Sequence, residues 1–290
     1  MPLPPPTVPT DDAEPPAPSD RTGSARLAGR RLLVTGASAG IGAATARAAV
    51  AAGARVALLA RSVAALDALA VELRAVGAAG TGPRLELGAP RWPEETGRTR
   101  AEVVAADVVD PVAARSAVDR AAAALGGLDG VVNAAGVARP GPVATTPPED
   151  WQRMLDVNVR GLLHVTQAAL PHLAAAGGGD VVNLSSMSGR RVGSPEMGVY
   201  AASKAAVHAL SEGLRREVAT EGVRVSVISP GFVRTAIFDD QDTDAARELR
   251  ARSVEVGLDP AQVAHTIVEV LAAPPGMVHL EVAVLSIDQG

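Results

Sequence analysis

The stretch RLLVTGASAGIG, residues 31–42, decides the fold of this chain. A short apolar run is followed at once by a turn that is rich in glycine. The apolar run predicts a buried β-strand, and the turn predicts the start of a helix whose backbone N–H groups can approach a pyrophosphate closely. An ordinary turn is the alternative. We predict a dinucleotide-binding turn that is formed by Gly36, Ser38, Ala39, Gly40, Ile41 and Gly42.

Apolar runs and helical segments alternate along the rest of the chain. The runs are rich in Val, Leu and Ile with little polar alternation, which is typical of parallel strands covered on both faces. Ser62 is placed to cap a helix, and residues 149–176 and 198–220 follow a helical repeat. We predict a single α/β domain with a Rossmann fold, a doubly wound parallel seven-stranded sheet that binds ligands at the carboxyl ends of its strands. The predicted strands are residues 31–34, 55–60, 102–107, 130–135, 180–185, 224–229 and 278–285.

Two segments fall outside this alternation. Residues 1–26 are rich in proline and acid and poor in large apolar groups, so we predict a disordered tail before a domain at 27–290. Residues 78–101 are longer than the usual connection between a helix and a strand, which predicts a surface insertion. Trp92, inside that insertion, leaves open a role in binding.

The composition excludes several classes of function. The net charge of −5 and the absence of a Lys/Arg-rich run argue against nucleic acid as a partner. A chain without cysteine has no disulfide, no thiolate nucleophile and no cysteine metal site, and its five scattered histidines predict no metal site either. Neither a secretory signal nor an apolar run of about 18 residues is present, so we expect a protein that is not in the membrane and is cytoplasmic.

The residues after the second predicted strand bear on the identity of the cofactor. An acidic residue at this point favours NAD, whereas an arginine accommodates the 2′-phosphate of NADP. The chain reads Ala60-Arg61-Ser62 here, so we predict NADP(H), with a solvated Arg61 as the alternative. Asp107 and Asn133 end the third and fourth strands, where they can contact the cofactor or serve only the structure.

One tyrosine and one lysine suggest the chemistry. Tyr200 is the only tyrosine, and Lys204 is the only lysine among 27 basic residues. In a helix, positions i and i+4 share a face, so the ammonium can favour the ionised phenol and lower its pKa. A phenol tuned in this way is a usable general acid. A chance surface pair is the alternative.

Taken together, these residues resemble the short-chain dehydrogenase/reductase family, from about Leu27 to the carboxyl terminus. The ordered set of motifs is specific, although each motif alone is not. The motifs are TGASAGIG at 35–42, DVVD at 107–110, NAAG at 133–136, NVRG at 158–161, NLSS at 183–186, YAASK at 200–204 and SPGFVRT at 229–235.

The resemblance implies hydride transfer between a nicotinamide and a carbonyl or alcohol carbon. Tyr200 would be the acid/base, Lys204 would bind the nicotinamide ribose and Ser186 would bind the substrate oxygen. Asn158 would complete a proton relay. The further cofactor contacts that the resemblance implies are Val108, Ala134, Gly136, Pro230, Gly231, Val233 and Thr235.

The chain departs from the family pattern at two places. Ala134 stands where the family commonly has a second asparagine, which removes one bracing hydrogen bond. The spacing from Ser186 to Tyr200 is one residue longer than is usual, so Ser185 and Ser188 are the alternatives for the catalytic serine.

The substrate is the least determined feature. Residues 236–257 are expected to form a lid, and the carboxyl end resembles a subset that acts on small hydroxy acids and aldehydes, including a clavulanate-type aldehyde reductase. The leading hypothesis is a reductase of a small or medium carbonyl compound. An oxidative alcohol or hydroxy-acid dehydrogenase and a non-catalytic nucleotide-sensing protein are the alternatives. The resemblance implies a homodimer or homotetramer. Arginines that could meet a substrate carboxylate are Arg139, Arg190, Arg191 and Arg234.

Overall fold

The structure is a computed structural model that describes residues 26–78 and 100–289, without the side chains of 76–78. The predicted tail, apart from Arg26, and most of the predicted insertion, including Trp92, lie outside the described residues. Their predicted roles stay predictions.

Seven parallel strands form one sheet in the order β3-β2-β1-β4-β5-β6-β7. The predicted fold class is therefore confirmed. The strand order reverses beside β1, whose neighbours are β2 and β4, and this is the position at which ligands bind in such sheets. The strands are β1 (Arg31–Thr35), β2 (Arg55–Ala60), β3 (Ala101–Ala105), β4 (Gly130–Asn133), β5 (Gly179–Leu184), β6 (Val223–Pro230) and β7 (Glu281–Val284).

Helices cover both faces of the sheet. Leu32 and Val34 of β1 belong to one apolar core with α1, α2 and α8, whereas Leu33 belongs to a second core with α3 and α5. The division follows from strand geometry, because successive side chains point to opposite faces. The helices are α1 (Gly40–Ala51), α2 (Val63–Ala78), α3 (Pro111–Leu125), α4 (Pro148–Leu155), α5 (Leu162–Ala175), α6 (Gly198–Glu217), α7 (Asp244–Val256) and α8 (Pro260–Leu271).

Several element ends differ from the sequence-based expectation. The predicted helix at 149–176 is α4 and α5 joined by a π-helical segment, Asp156–Gly161. The predicted strand at 278–285 shortens to β7, and Asp107 lies beyond the end of β3. Propensity alone does not fix these limits, because the ends depend on which neighbouring strand offers hydrogen-bond partners.

A buried ion-pair group fixes the edge of the sheet opposite to the strand ends that bind ligands. Asp180 at the start of β5 accepts hydrogen bonds from Arg224 Nε at 2.7 Å and Nη2 at 2.9 Å, and it also pairs with Arg30. The side chain of Asp180 is 3% exposed. A carboxylate buried to this degree needs its partners, so the group holds β1, β5 and β6 in register.

Candidate active site

A cleft of about 560 Å³ opens at the carboxyl ends of the strands. It lies at the reversal of strand order and runs from the glycine-rich turn to α6. Fifteen of the sequence-predicted site residues line it: Gly36, Ser38, Ala39, Gly40, Ile41, Gly42, Arg61, Ser62, Asp107, Val108, Ala134, Gly136, Tyr200, Lys204 and Thr235. The residues Ala135, Val137 and Arg153 also line the cleft, and the sequence did not predict their part in it. Ser185, the alternative catalytic serine, and Ile237, from the predicted lid, line it as well.

Two glycines of the glycine-rich turn have no room for a side chain. A Cβ atom on Gly42 would lie 2.3 Å from the carbonyl oxygen of Gly36, and one on Gly36 would lie 2.8 Å from that of Ala134. Thr35 Oγ1 fixes the turn by accepting hydrogen bonds from the backbone N–H groups of Ala134, at 3.0 Å, and Ala135, at 3.1 Å. The glycines therefore keep the backbone open to a ligand.

The amino end of α1 is available to an anion. No side chain caps this helix, whose N-cap residue is Ala39. The first N–H groups of a helix need an acceptor, and the helix dipole favours a negative one. A pyrophosphate supplies such acceptors, so the turn and the helix end fit the diphosphate of a dinucleotide.

The end of β2 carries a cation and no carboxylate. Arg61 is exposed beside the cleft and forms no ion pair with any residue in the described ranges. Ser62 accepts a hydrogen bond from the N–H of Ala65 at 3.4 Å and so caps α2. Asp107 accepts one from the N–H of Val109 at 3.0 Å and lies 3.7 Å from Arg153 Nη2. Arg61 is therefore free to bind an added anion.

Asn133 lies away from the cleft. Its Nδ2 group donates to Asn183 Oδ1 at 2.8 Å and to Thr166 Oγ1 at 3.0 Å, in the interior between β4, β5 and α5. The side chain is buried, and the residue does not line the cleft. The geometry favours the structural alternative for Asn133 over a cofactor contact.

Tyr200 and Lys204 lie one turn apart on α6 and are both buried. Lys204 Nζ lies 5.9 Å from the centroid of the Tyr200 ring and donates to the Leu184 carbonyl oxygen at 2.8 Å. Burial lowers the pKa of Lys204 to about 8. Burial also raises the pKa of Tyr200 to about 12, partly offset by a hydrogen bond with Ser186. The sequence-based expectation of a lowered Tyr200 pKa is therefore wrong for this structure, because desolvation disfavours the phenolate.

Ser186 is the serine that contacts the tyrosine. Its hydrogen bond lowers the pKa of Tyr200, although burial, the larger effect, raises it. Ser186 Oγ also accepts from the N–H of Ser188 at 3.1 Å, which holds it at the start of the turn after β5. Ser185 Oγ instead donates to the Lys204 carbonyl oxygen at 2.9 Å. The contact with the phenol favours Ser186 over Ser185, although Ser185 is the one of the two that lines the cleft.

Asn158 lies behind the cleft, in the π-helical segment between α4 and α5. Its Oδ1 atom accepts from the N–H of Val137 at 2.9 Å, and its Nδ2 group donates to the Val137 carbonyl oxygen and to Ser203 Oγ, both at 3.0 Å. A Cβ atom on Gly136 would lie 3.3 Å from Asn158 Oδ1 and 3.5 Å from Lys204 Nζ. Gly136 therefore leaves a narrow space between the asparagine and the lysine.

The segment after β6 closes one end of the site. Pro230, Gly231 and Val233 do not line the cleft. The Gln289 side chain accepts from the N–H of Phe232 at 2.8 Å and packs against Gly231. Thr235 reaches the glycine-rich turn, because its Cγ2 atom would lie 3.1 Å from a Cβ atom on Gly40. Gln289 and Phe232 are far apart in the sequence, so no local sequence pattern predicts their contact.

The described residues 26–78 and 100–289 offer neither a candidate membrane span nor a candidate metal cluster. No helix among them is long and apolar enough to cross a membrane. Within the same ranges, no group of three or more His, Cys, Asp or Glu could hold a metal ion. A second cleft, of about 450 Å³, lies between α7 and the carboxyl-terminal segment and contains none of the predicted catalytic residues.

Comparison with known proteins relates the whole of this architecture to one group. A family model described as short chain dehydrogenase matches residues 30–82 and 83–246. An uncharacterized oxidoreductase of Staphylococcus haemolyticus is 33% identical over 248 residues, which are 86% of this chain and 93% of that protein. The glycine betaine reductase of Emericella nidulans is 34% identical over 264 residues, and the chain spans only 19% of its length.

Solved structures are similar over nearly the whole described chain. A short-chain dehydrogenase from Burkholderia cenocepacia in complex with NADP has a TM-score of 0.73 and 34% identity. The superposition covers 89% of this chain and 97% of that one. A short-chain type dehydrogenase/reductase from Mycobacterium marinum has a TM-score of 0.75 and 30% identity, over 89% of this chain and 94% of that one.

Proposed function

Because the chain belongs to the short-chain dehydrogenase/reductase family, we propose that it is an NADPH-dependent oxidoreductase. It transfers a hydride between the nicotinamide and a carbonyl or alcohol carbon of a small or medium organic substrate. The observation that carries this proposal is the geometry at α6, where Tyr200 and Lys204 are buried one turn apart at the wall of the cleft and Ser186 is hydrogen-bonded to the phenol.

The chain's own residues fit the dinucleotide. The glycine-rich turn and the uncapped end of α1 would hold the pyrophosphate, and Arg61 with Ser62 would hold the 2′-phosphate. The backbone of Val233 supports a further contact. Val233 lies opposite Leu258 in an isolated parallel β-bridge, but the hydrogen bonds of this bridge use the carbonyl oxygen of Phe232 and the N–H of Arg234. The N–H and carbonyl groups of Val233 remain for an amide such as the carboxamide of nicotinamide. NADP in the Burkholderia cenocepacia relative supports the same choice.

Proton transfer is assigned to the tyrosine. NADPH supplies the hydride when it is bound, and Tyr200 Oη gives its proton to the carbonyl oxygen during reduction. A pKa of about 12 keeps the phenol protonated at neutral pH, ready to act as the acid. Lys204, with a pKa of about 8, is mostly cationic at neutral pH and stabilises the phenolate that forms.

Two further residues position the reacting groups. Ser186 Oγ holds the substrate oxygen next to the phenol, since it is already hydrogen-bonded to Tyr200. Asn158 fixes the backbone at Val137 and borders the narrow space beside Gly136 and Lys204. That space leads from the ammonium toward Asn158, which supports a relay that returns a proton to Tyr200 through Lys204.

The remaining expectations stay proposals. Residues 236–257 supply a lid, and the contacts of Ala236 and Ile237 with the cleft support this role. Exposed Leu155 and Leu163 on α4 and α5 support a homodimer or homotetramer that packs through these helices. A cytoplasmic location stays a prediction from the sequence.

The test is consumption of NADPH by the purified protein against ketones, aldehydes and oxo acids, with NADH and the Tyr200→Phe variant alongside. Turnover that needs NADPH and disappears in the variant supports the proposal. The same residues serve oxidation, so an alcohol panel with NADP⁺ establishes the favoured direction. Normal NADPH binding without turnover, and no effect of Tyr200→Phe, would support the nucleotide-sensing alternative.

A further inference from the structure

The aromatic side chains of this chain are few, and most of them gather around one residue. The sequence contains two Trp, one Tyr and two Phe. Trp151, Tyr200 and Phe238 belong to a single apolar cluster, which α4, α6 and the turn after β6 build together. Phe238 is 6% exposed, and Trp151 is partly buried. Of the three rings, that of Tyr200 lines the cleft, and Trp151 and Phe238 pack in the same apolar cluster without lining it.

The rest of this Tyr200 cluster is also apolar. Val137 and Ile237 belong both to the cluster and to the lining of the cleft, so the apolar wall extends to the surface that a substrate touches. Methionine side chains adapt to varied shapes, and rings favour stacking against other rings. The other members are Ala138, Met154, Met197, Val199 and Leu249.

Two of the four arginines that could meet a substrate carboxylate are already paired with carboxylates. Arg139 Nη2 lies 2.6 Å from Asp240 Oδ2, and its Nε atom lies 3.8 Å from Asp150 Oδ1. Arg190 forms an ion pair with Glu281. These two arginines therefore bring no net positive charge to an incoming anion.

The two other arginines that the sequence suggested do not change this result. Arg234 Nη2 lies 3.5 Å from Asp259 Oδ2, and neither Arg234 nor Arg191 lines the cleft. Lys204 is the charged residue at the Tyr200 end of the cleft, and its ammonium is held by a carbonyl oxygen. Arg61, Asp107 and Arg153 belong to the end formed by β2 and β3.

We infer that the substrate is an uncharged carbonyl compound whose carbonyl carbon bears an apolar, aromatic substituent. This inference rests on the proposed function, because it concerns the group attached to the carbon next to Tyr200. An aromatic group buries apolar area against Val137, Ile237 and the ring of Tyr200, which the rest of the cluster supports from behind. A carboxylate at the same place would lose its hydration without gaining a free cation, which is costly. The small hydroxy acids suggested by the carboxyl end of the sequence are therefore disfavoured.

Matched ketones test the inference. We expect kcat/KM with NADPH to be at least about tenfold higher for acetophenone than for 4-acetylbenzoate, because each tenfold preference corresponds to about 1.4 kcal/mol of differential binding. Pyruvate should be poorer than both. Equal or higher kcat/KM for the carboxylates, with turnover that still depends on Tyr200, would overturn the substrate class and leave the proposed function standing.

Two variants test which residues cause the preference for acetophenone over the carboxylates. Asp240→Asn frees Arg139 from its nearer partner, so the ratio of kcat/KM for acetophenone to that for 4-acetylbenzoate should fall at least about threefold. Asp242→Asn, on the same exposed segment, is the control and should leave this ratio unchanged. Phe238→Ala removes one ring and should raise the KM of acetophenone more than that of pyruvate. No change of preference in either Asp240→Asn or Phe238→Ala would contradict the assignment to this cluster.

A binding measurement gives a result that does not depend on turnover. Saturation-transfer NMR should detect 1-phenylethanol on the protein with NADP⁺ present, and should detect 4-(1-hydroxyethyl)benzoate more weakly. Binding of 1-phenylethanol without Tyr200-dependent turnover of any carbonyl would count against the proposed function while the aromatic site stands. Binding of neither alcohol, or of the carboxylate alone, would overturn the inference itself.

Discussion

The Nε2 atom of His208 lies 2.9 Å from the Oγ atom of Ser185, and that hydroxyl donates at 2.9 Å to the Lys204 carbonyl oxygen. Since the hydroxyl proton of Ser185 is already used, Nε2 of His208 must carry the hydrogen of this bond. Ser229 Oγ likewise donates to Glu281 Oε1, at 2.8 Å. The second nitrogen of His208, Nδ1, is thus the site for a further proton and lies 3.7 Å from Glu281 Oε1.

Acid should nevertheless destabilise the fold around His208, because the protonated ring is partly buried and lies near two other cations. Burial lowers the pKa of His208, and so do Arg190 and Lys204, while Glu281 opposes them. A lowered pKa means that the unfolded chain binds the proton first, so the free energy of unfolding falls as the pH drops from about 6.5 through the folded pKa. Thermal unfolding from pH 7.5 to 5 should show this loss, and His208→Gln should reduce it.

His265→Gln is the matched control, because His265 is 72% exposed at the surface of α8. His265→Gln should change the loss of stability on acidification less than His208→Gln does. If His208→Gln and the unaltered protein lost the same stability on acidification, His208 would not be the responsible group.

The local features of the site were predictable from the sequence, and the long-range ones were not. The glycine-rich turn and the Tyr200–Lys204 spacing depend on residues within a few positions of each other, so their geometry follows from backbone rules. The inward direction of Asn133 depends on Asn183 and Thr166, which only the folded sheet brings near. Such contacts are fixed by tertiary packing, which a local pattern does not encode.

The pKa of Tyr200 likewise could not be predicted from the local sequence. The spacing predicted that Lys204 would lower it, because a nearby positive charge favours the phenolate. The structure buries the pair, and desolvation raises the pKa to about 12 instead. Burial depends on how α6 packs against its neighbours, which cannot be read from two residues.

Arg61 should determine the choice between the two dinucleotides. Arg61→Ala should raise the Kd for NADPH at least about tenfold and leave that for NADH within about twofold, because only NADPH offers a 2′-phosphate. Fluorescence titration of both cofactors measures this. Arg115→Ala, an exposed arginine on α3, is the control and should change neither value. Equal weakening of NADPH and NADH would mean that Arg61 does not contact the 2′-phosphate.

Removing the phenol should abolish turnover without loss of cofactor. Tyr200→Phe should lower kcat about 10²- to 10⁴-fold, the usual contribution of a general acid, while the Kd for NADPH stays within about threefold. Ser186→Ala should lower kcat more than Ser185→Ala, since Ser186 is the serine bonded to the phenol. Steady-state kinetics and cofactor titration separate the two effects. A larger loss in Ser185→Ala would move the substrate-binding role to that residue.

Adding one methyl group to the glycine-rich turn should abolish cofactor binding. A Cβ atom on Gly42 would lie 2.3 Å from the Gly36 carbonyl oxygen and 3.0 Å from that of Thr35, so Gly42→Ala must displace the turn. Gly213→Ala is the matched control, because a Cβ atom there meets no heavy atom within 4 Å and the residue lies in α6.

The two substitutions should thus change stability in opposite directions. Alanine in a helix is favoured over glycine by about 0.5–1 kcal/mol, so Gly213→Ala should raise the free energy of unfolding by that amount and leave NADPH binding unchanged. Gly42→Ala should lower the free energy of unfolding and raise the Kd for NADPH at least about a hundredfold. Chemical denaturation and cofactor titration of both variants measure these changes. Normal NADPH binding by Gly42→Ala would show that the turn can move aside and that close backbone approach is not what the glycine provides.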